Sequence, residues 1–398
     1  MHGVWWDRLA SAATVAGSEL MTTVRLAQSL TDLKPYLEPW DRLAIATSRP
    51  LQRPAWLLGW WQGERAVNDR SELRVALAVD AGRLVGVLPL HVADPEARIP
   101  VHEVLSRGAF WGLGPLLASD APPETVQVIA EALAASSPAP IVLSCEAVDR
   151  SGGWPQLMAS SWPSRGARLY TRVSAVPSYT VTLQGSFEEW LRRTRRPQDA
   201  RRRLRRLAER GVELRQSGTA SEFRADLASL ARLHQARWAQ NSQWLSPAVE
   251  VALSLAGSEF VGSGGARLWV LDGEEGVIGA TLFASAGSES WCLMTAFDEA
   301  WREYGPGMAT IVEGVSDAFA RGEQIVDLGY GDFPYKRLLA DSCRPVAWLR
   351  LFPRIRGYAR ARAHWLPVEA REQRQQMRNR LRVRQRLEAV HPHRRQGG

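Results

Sequence analysis

Two hydrophobic periods take turns along this 398-residue chain, one near 3.6 and one of two, so helices and strands are expected to alternate. In the first half, helical spacing is read around Leu30–Trp40, Pro54–Glu64 and about Glu124–Ala135. Leu73–Asp80 and Leu84–Val92 read as a strand pair joined by an Ala-Gly-Arg turn, and Ile141–Ser144 as a short buried strand. The second half opens at Ser186 on Ser-Phe-Glu-Glu, a capping box with Glu189 three residues after the cap. Pro197 is expected to start a basic helix that Gly211 ends. A strand over Val212–Gln216 follows, then a second capping box (Thr219 to Glu222) whose helix carries Phe223, Leu227, Leu230 and Trp238. Ser246–Pro247 should start a short helix. Strands are predicted at Arg267–Leu271, Val277–Ser285 and Ser290–Phe297, a helix at Met308–Arg321, and strands at Gln324–Leu328 and Val346–Phe352.

The halves echo each other. Arg74-Val-Ala-Leu-Ala-Val-Asp80 followed by Leu84-Val-Gly86 resembles Arg267-Leu-Trp-Val-Leu-Asp272 followed by Val277-Ile-Gly279, and the later elements come in the same order. Two α/β units of ordinary size are therefore expected, 22–180 and 186–352, with an Arg-rich tail at 353–398.

The net charge of +8 is unevenly placed. Residues 350–398 hold 14 Arg against three Glu, and residues 192–210 hold ten Arg against one Asp and one Glu, so the remainder is acidic. Such segments point to anionic partners, and RNA or anionic membrane is the expected contact for 192–210 and 371–386. A solvated face for the first and disorder for the last residues of the second are the plainer readings. No run approaches the roughly 20 apolar residues that span a bilayer, and Trp5, Trp6 and Asp7 stand where a signal peptide would be basic. A cytoplasmic protein is expected, with Met1 or Met21 as its start. Cys145, Cys292 and Cys343 lack ligand or disulfide spacing and are expected to be reduced thiols, with no metal site.

Chemistry concentrates between Trp301 and Lys336. Arg302, Gly305 and Gly307 form Arg-x-x-Gly-x-Gly at a helix start, where glycine lets a phosphate approach the backbone and free amides can bind it. Pro306 within that turn has no N–H, which removes one donor. Lys336 is one of two lysines among 50 basic residues, so a compact ammonium is a candidate requirement there. Tyr330, Asp332, Tyr335 and Lys336 follow a strand end, where open α/β sheets form ligand crevices. A purely structural pairing of Lys336 with Asp327 or Asp332 competes with that reading. Asp298, Glu299 and Asp332 are the carboxylates considered for proton transfer. His234, Trp238 and the Trp56–Trp60–Trp61 cluster are expected in the core.

This element order with its glycine turn resembles the GNAT acyltransferase superfamily. More narrowly, several stretches resemble the tandem-domain, CelD-type proteins of cellulose biosynthesis, related to the Fem-type aminoacyltransferases. These are Arg196 to Gly211, Leu233-His-Gln-Ala-Arg-Trp238, Phe297-Asp-Glu-Ala-Trp301 to Gly307, and Asp327-Leu-Gly-Tyr-Gly to Tyr335-Lys336. The resemblance covers about 180–352 well and 22–180 loosely. It implies two GNAT-like mixed-sheet domains in tandem, using acetyl-CoA or another acyl-CoA, or else an aminoacyl-tRNA, as donor. Arg302, Gly305, Gly307 and Met308 would hold the donor phosphates, and Ser290–Phe297 would offer an N–H to the thioester carbonyl. Tyr335-Lys336 resembles a Fem-type aromatic–Lys pair that steadies the oxyanion, with Tyr330 and Asp332 beside it. The acceptor would be a small molecule or a glycan precursor of the envelope. The first half, lacking the glycine turn, would shape the acceptor cleft. A non-catalytic tandem protein that binds RNA or anionic membrane is the competing reading.

Overall fold

The computed structural model describes residues 22–353, apart from 98, 107–108, 138–140, 150–152, 164–166, 174–176, 195–196 and 239–245, together with Ala359, Ala363, Leu366 and Ala370. The 371–386 segment and the two candidate starts lie outside the described residues.

The second half is built on a seven-stranded mixed sheet. Its strands are β1 (Ser178–Thr182), β2 (Glu213–Gln216), β3 (Ala266–Gly273), β4 (Gly276–Ala286), β5 (Glu289–Phe297), β6 (Ile325–Tyr330) and β7 (Ser342–Arg344). They lie in the order β2-β3-β4-β5-β6-β1-β7. Helices α1 (Phe187–Arg193), α2 (Pro197–Ala208), α3 (Ala220–Trp238), α4 (Pro247–Phe260), α5 (Pro306–Ala320) and α6 (Pro334–Leu339) connect them. The three caps form as expected. Ser186 Oγ accepts from the Glu189 amide, Thr219 Oγ1 from Glu222 at 3.2 Å, and Ser246 Oγ from Val249 at 3.3 Å. Gly211 takes a left-handed φ of 72° just after α2, which is why the basic helix stops there.

The first half holds a four-stranded sheet over Thr23–Ala27, Val75–Asp80, Arg83–Leu88 and Leu116–Leu117, and a six-stranded one. The predicted Leu84–Val92 strand is two pieces, because Pro89 cannot donate to a ladder and the chain changes sheet there. Likewise the Leu30–Trp40 stretch is broken by Pro35 into Leu30–Leu33, a 3-10 turn, and a helix over Leu37–Ala46.

The halves exchange strands. The strand over Val346–Pro353, β8, belongs by sequence to 186–352. It pairs instead with Val142–Asp149 and Ala167–Val173 inside the first-half sheet. In return β1, which precedes Ser186, lies between β6 and β7. The predicted boundaries therefore divide the chain but not the sheets. Both crossing strands insert between two partners, so their backbone groups are satisfied on two sides, and Ala347, Leu349 and Leu351 are fully or almost fully buried.

A helical seam also joins the halves. The Pro54–Val67 helix crosses α4, where Gly59 and Gly63 face Ala252 and Ala248. A Cβ on Gly63 would stand 2.5 Å from the Ala248 Cα, so glycine sets the closeness of this crossing. Trp56, Trp60 and Trp61 are buried in the same core, as expected.

Candidate functional site

β5 and β6 are the parallel pair of the seven-stranded sheet, and they stay together only briefly. Glu289, Ser290 and Trp291 pair with Ile325, Val326 and Asp327, after which β5 continues to Phe297 and β6 to Tyr330 unpaired with each other. A parallel pair that parts in mid-sheet leaves backbone groups facing a gap instead of a ladder. The other edge of β5 is paired with β4 from Glu289 to Phe297 except at Leu293, where the register shifts, so the strand is held on that side while the other opens. This is the opening that the Ser290–Phe297 expectation requires.

Lys336 lies at that opening. It is the third residue of α6 and only 4% exposed. Its Nζ donates to the carbonyls of Gly329 at 2.9 Å and Tyr330 at 3.0 Å, which close the end of β6. An ammonium carries three donors, so one remains after these two bonds. Burial pushes its pKa down to about 8, partly countered by Cys292 and Asp327. Asp327 and Asp332, the carboxylates considered for a structural pair with Lys336, do not form an ion pair with it among the described residues.

Tyr335 is half-buried beside Lys336 and stacks on Phe333, and burial raises its phenol pKa above the usual range, so it stays a neutral O–H. Tyr330 packs edge-on against Trp111 and Trp348, and burial raises its pKa as well. Asp332 departs from expectation. Arg337 grips both of its oxygens, and the Tyr179 hydroxyl donates to Oδ1 at 3.2 Å, so this carboxylate anchors the loop. Asp298 caps the 3-10 turn Glu299–Tyr304, and Glu299 pairs with Arg302 and Arg237.

The residue that sequence reasoning passed over as a site member is Asp327. It is 1% exposed; its Oδ1 accepts the Ser178 hydroxyl at 2.6 Å and the Gly329 amide at 2.7 Å. Burial raises its pKa, against the pull of both bonds and of Arg344 and Lys336. Its signal in the sequence was an acid in the apolar strand Ile325–Tyr330, where an unpaired charge would be costly.

The glycine turn is also formed. Gly305, φ 63°, ends the 3-10 turn and caps α5. Its amide donates to the Arg302 carbonyl, while Met308 and Ala309 donate back to the Gly305 carbonyl, each at 3.1 Å. Gly307 is buried, and a Cβ there would lie 2.9 Å from Phe297 at the end of β5. That glycine thus docks the helix against the open strand. A Cβ on Gly305 would strike the Arg203 guanidinium of α2, and Arg206 and Arg210 lie over the Tyr304 ring at 4.9 and 4.4 Å. Arg302 itself is exposed and salt-bridged to Glu299. The cations nearest Gly305 therefore come from the basic helix, a convergence that spacing along the chain does not reveal. Met308 is half-buried against the α5 core cluster.

His234 is buried, with burial and Arg237 lowering its pKa to about 4, which makes it a neutral core histidine as expected. Among the described residues no three His, Cys, Asp or Glu stand together as metal ligands, and no helix is long and apolar enough to cross a membrane.

Residues 192–337 match the family model of the acetyltransferase (GNAT) domain. That likeness lies within the second half of the chain. The fold as a whole is a mixed α/β arrangement similar to a conserved protein of unknown function from Bacteroides thetaiotaomicron VPI-5482, with TM-score 0.52, 8% identity and coverage of 83% of this chain and 100% of that one. It is similar also to FemX, with TM-score 0.50 and 12% identity over 73% of this chain and 90% of that one. A tandem GNAT protein from the clavulanic acid biosynthesis pathway is similar at TM-score 0.42 and 12% identity, covering 82% and 98%. No curated protein sequence matches the chain. The narrower CelD-type likeness stays an inference from motifs.

Proposed function

We propose that this protein is an acyltransferase that moves an acyl group from acyl-CoA to an amine or hydroxyl of a cell-envelope or polysaccharide precursor. The observation that carries the reading is the early parting of β5 and β6 with the Lys336 ammonium at its edge, inside a GNAT domain. A thioester carbonyl entering this gap would meet strand amides and the remaining Lys336 donor. Both are fixed before the reaction, and donors preorganised for a developing oxyanion supply about 2–4 kcal/mol each. Acyl-CoA phosphates would lie toward the α5 start, held by Arg203 and the helix end. Arg302 and Met308 flank that turn. Tyr330 and Tyr335 would wall the gap as neutral phenols.

In this reading the first half completes the acceptor side, since Trp111 packs against Trp291 and Tyr330 at the gap. A location in the cytoplasm suits an acyl-CoA user. The test is calorimetric titration with acetyl-CoA, alongside mass spectrometry of the purified protein for bound coenzyme A. One-to-one binding is expected; absence of both binding and co-purified coenzyme A rejects an acyl-CoA donor.

A second reading rests on the exposed arginines of α2, among them Arg201, Arg202 and Arg205, which present charge to solvent. There the protein is non-catalytic and grips RNA or anionic membrane through 192–210 and 371–386. Strongly salt-dependent RNA or liposome binding without acetyl-CoA affinity selects it.

A further inference from the structure

Trp291 and Asp327 are the last paired residues of β5 and β6. Both also line a small crevice, with Arg49, Trp111, Ser178 and Arg344. The crevice has room for about one water-sized group. Trp291 belongs to the core shared with the first half, whereas Cys292, Val326 and Leu328 belong to the α5 core on the opposite face. Asp327 thus stands at the root of the gap, on the face turned to the first half.

The charges around it decide what such a space suits. Arg344 is matched by Glu289, with bonds of 2.9 and 3.1 Å, and Arg49 is itself engaged. Lys336 gives two of its three donors to the Gly329 and Tyr330 carbonyls, and burial keeps the Cys292 thiol neutral, with a pKa raised to about 12. Asp327 uses Oδ1 for both of its bonds, and Oδ2 takes neither. A buried carboxylate with a spare oxygen, beside a water-sized space walled by two indoles, matches a terminal ammonium in size and charge.

We propose that this crevice seats the ammonium end of the acceptor and that Asp327 takes its proton, an inference that rests on the acyltransferase reading. The acceptor R–NH3+ gives one proton to the Asp327 carboxylate and becomes a neutral amine. Its lone pair attacks the thioester carbonyl carbon, the C–N bond forms and the C–S bond breaks with its electron pair on sulfur. The second nitrogen proton passes to that thiolate, and Asp327 later releases its own to solvent. Burial, by raising the carboxyl pKa, makes Asp327 a better base than an exposed aspartate.

The experiment uses the full chain labelled with carboxyl-13C aspartate. The Asp327 resonance is identified by its loss in Asp327→Asn, which keeps an oxygen to accept from Ser178 and Gly329. Should that variant not fold, Ser178→Ala identifies the same resonance by removing one bond. Titration with ethylammonium chloride, against sodium chloride at equal ionic strength, is expected to shift this resonance and lower its titration midpoint; an unmoved resonance overturns the proposal. With acetyl-CoA and ethylamine, thiol release by Asp327→Asn should fall at least about 100-fold and lose its acid limb. Unchanged release overturns the proton-transfer role. An ethylammonium shift without acetyl-CoA binding would reject the donor reading and leave the seat standing, whereas acetyl-CoA binding without the shift would reject the seat alone.

Discussion

Lys336 donates to the Gly329 carbonyl at 2.9 Å, which fixes a buried ammonium where β6 has parted from β5. The contact spans seven residues of chain and depends on the turn between them. It exists because Pro334 starts α6 directly after the Tyr330–Phe333 turn, and Gly329 and Gly331 take φ values of 81° and 111° that bring the chain back on itself.

The Lys336→Ala change should lower turnover about 100-fold or more while acetyl-CoA affinity changes little, since the ammonium is held at the end of β6 by the Gly329 and Tyr330 carbonyls and not at the Arg302–Gly307 turn. Because burial lowers its pKa to about 8, the charged form is present below that pH and is lost above it. Wild-type kcat/KM should therefore fall as pH rises through about 8. Steady-state profiles of both proteins check this: an equal alkaline limb in the variant would remove Lys336 from the chemistry.

Arg267 is fully buried between Asp317, at 2.7 Å, and Glu323, at 3.0 Å. Removing it in Arg267→Leu leaves the deeply buried Glu323 without its cation, whereas Asp317 keeps Arg321 at 2.9 Å. The expected loss is about 3–5 kcal/mol of unfolding free energy, read from urea denaturation. A loss below about 1 kcal/mol would mean that the acids relax to water.

His234 predicts an acid weakness. Its folded pKa of about 4 lies below the ordinary value of 6.5, so the unfolded chain binds the proton first. Its neutral form contributes stability that is intact above 6.5 and drains away as pH falls toward 4, by about 3 kcal/mol. Denaturation of His234→Leu between pH 7 and 4 should show a shallower loss than wild type; parallel curves would refute the assignment.

The seam between the halves is tight enough to test with one carbon. Gly63→Ala places a Cβ against the Ala248 backbone and should cost about 1–3 kcal/mol through overpacking. A nearby control, Gly82→Ala, meets no atom within 4 Å but sits at φ 79° in an exposed turn, so its cost is conformational. Urea midpoints of both report whether the helix crossing or the turn governs stability.

Much of the second half was legible because its signals are local. Ser186 with Glu189, Thr219 with Glu222, and Gly211 after a basic helix each act within one turn of chain, and each formed as read. The same held for the β3–β4–β5 meander, where turn residues fix which strands pair. Less legible were elements whose partners lie far away. β1 and β7 pair with each other and β1 with β6, over separations that no periodicity encodes. Asp332 looked like a free acid because Tyr179 and Arg337 approach it only after folding.

The sequence by itself determined the alternation of helices and strands, the glycine turn before α5, the basic helix and the placement of Lys336 after a strand end. These follow from spacing, capping and backbone permissiveness, all short-range effects. Only the tertiary structure decided that β8 crosses to the first sheet, that Arg203 covers Gly305, and that Asp327 shares a crevice with Trp111 and Trp291. Those relations depend on burial and hydrogen-bond satisfaction summed over both halves, and a residue's neighbours in space are set by that sum.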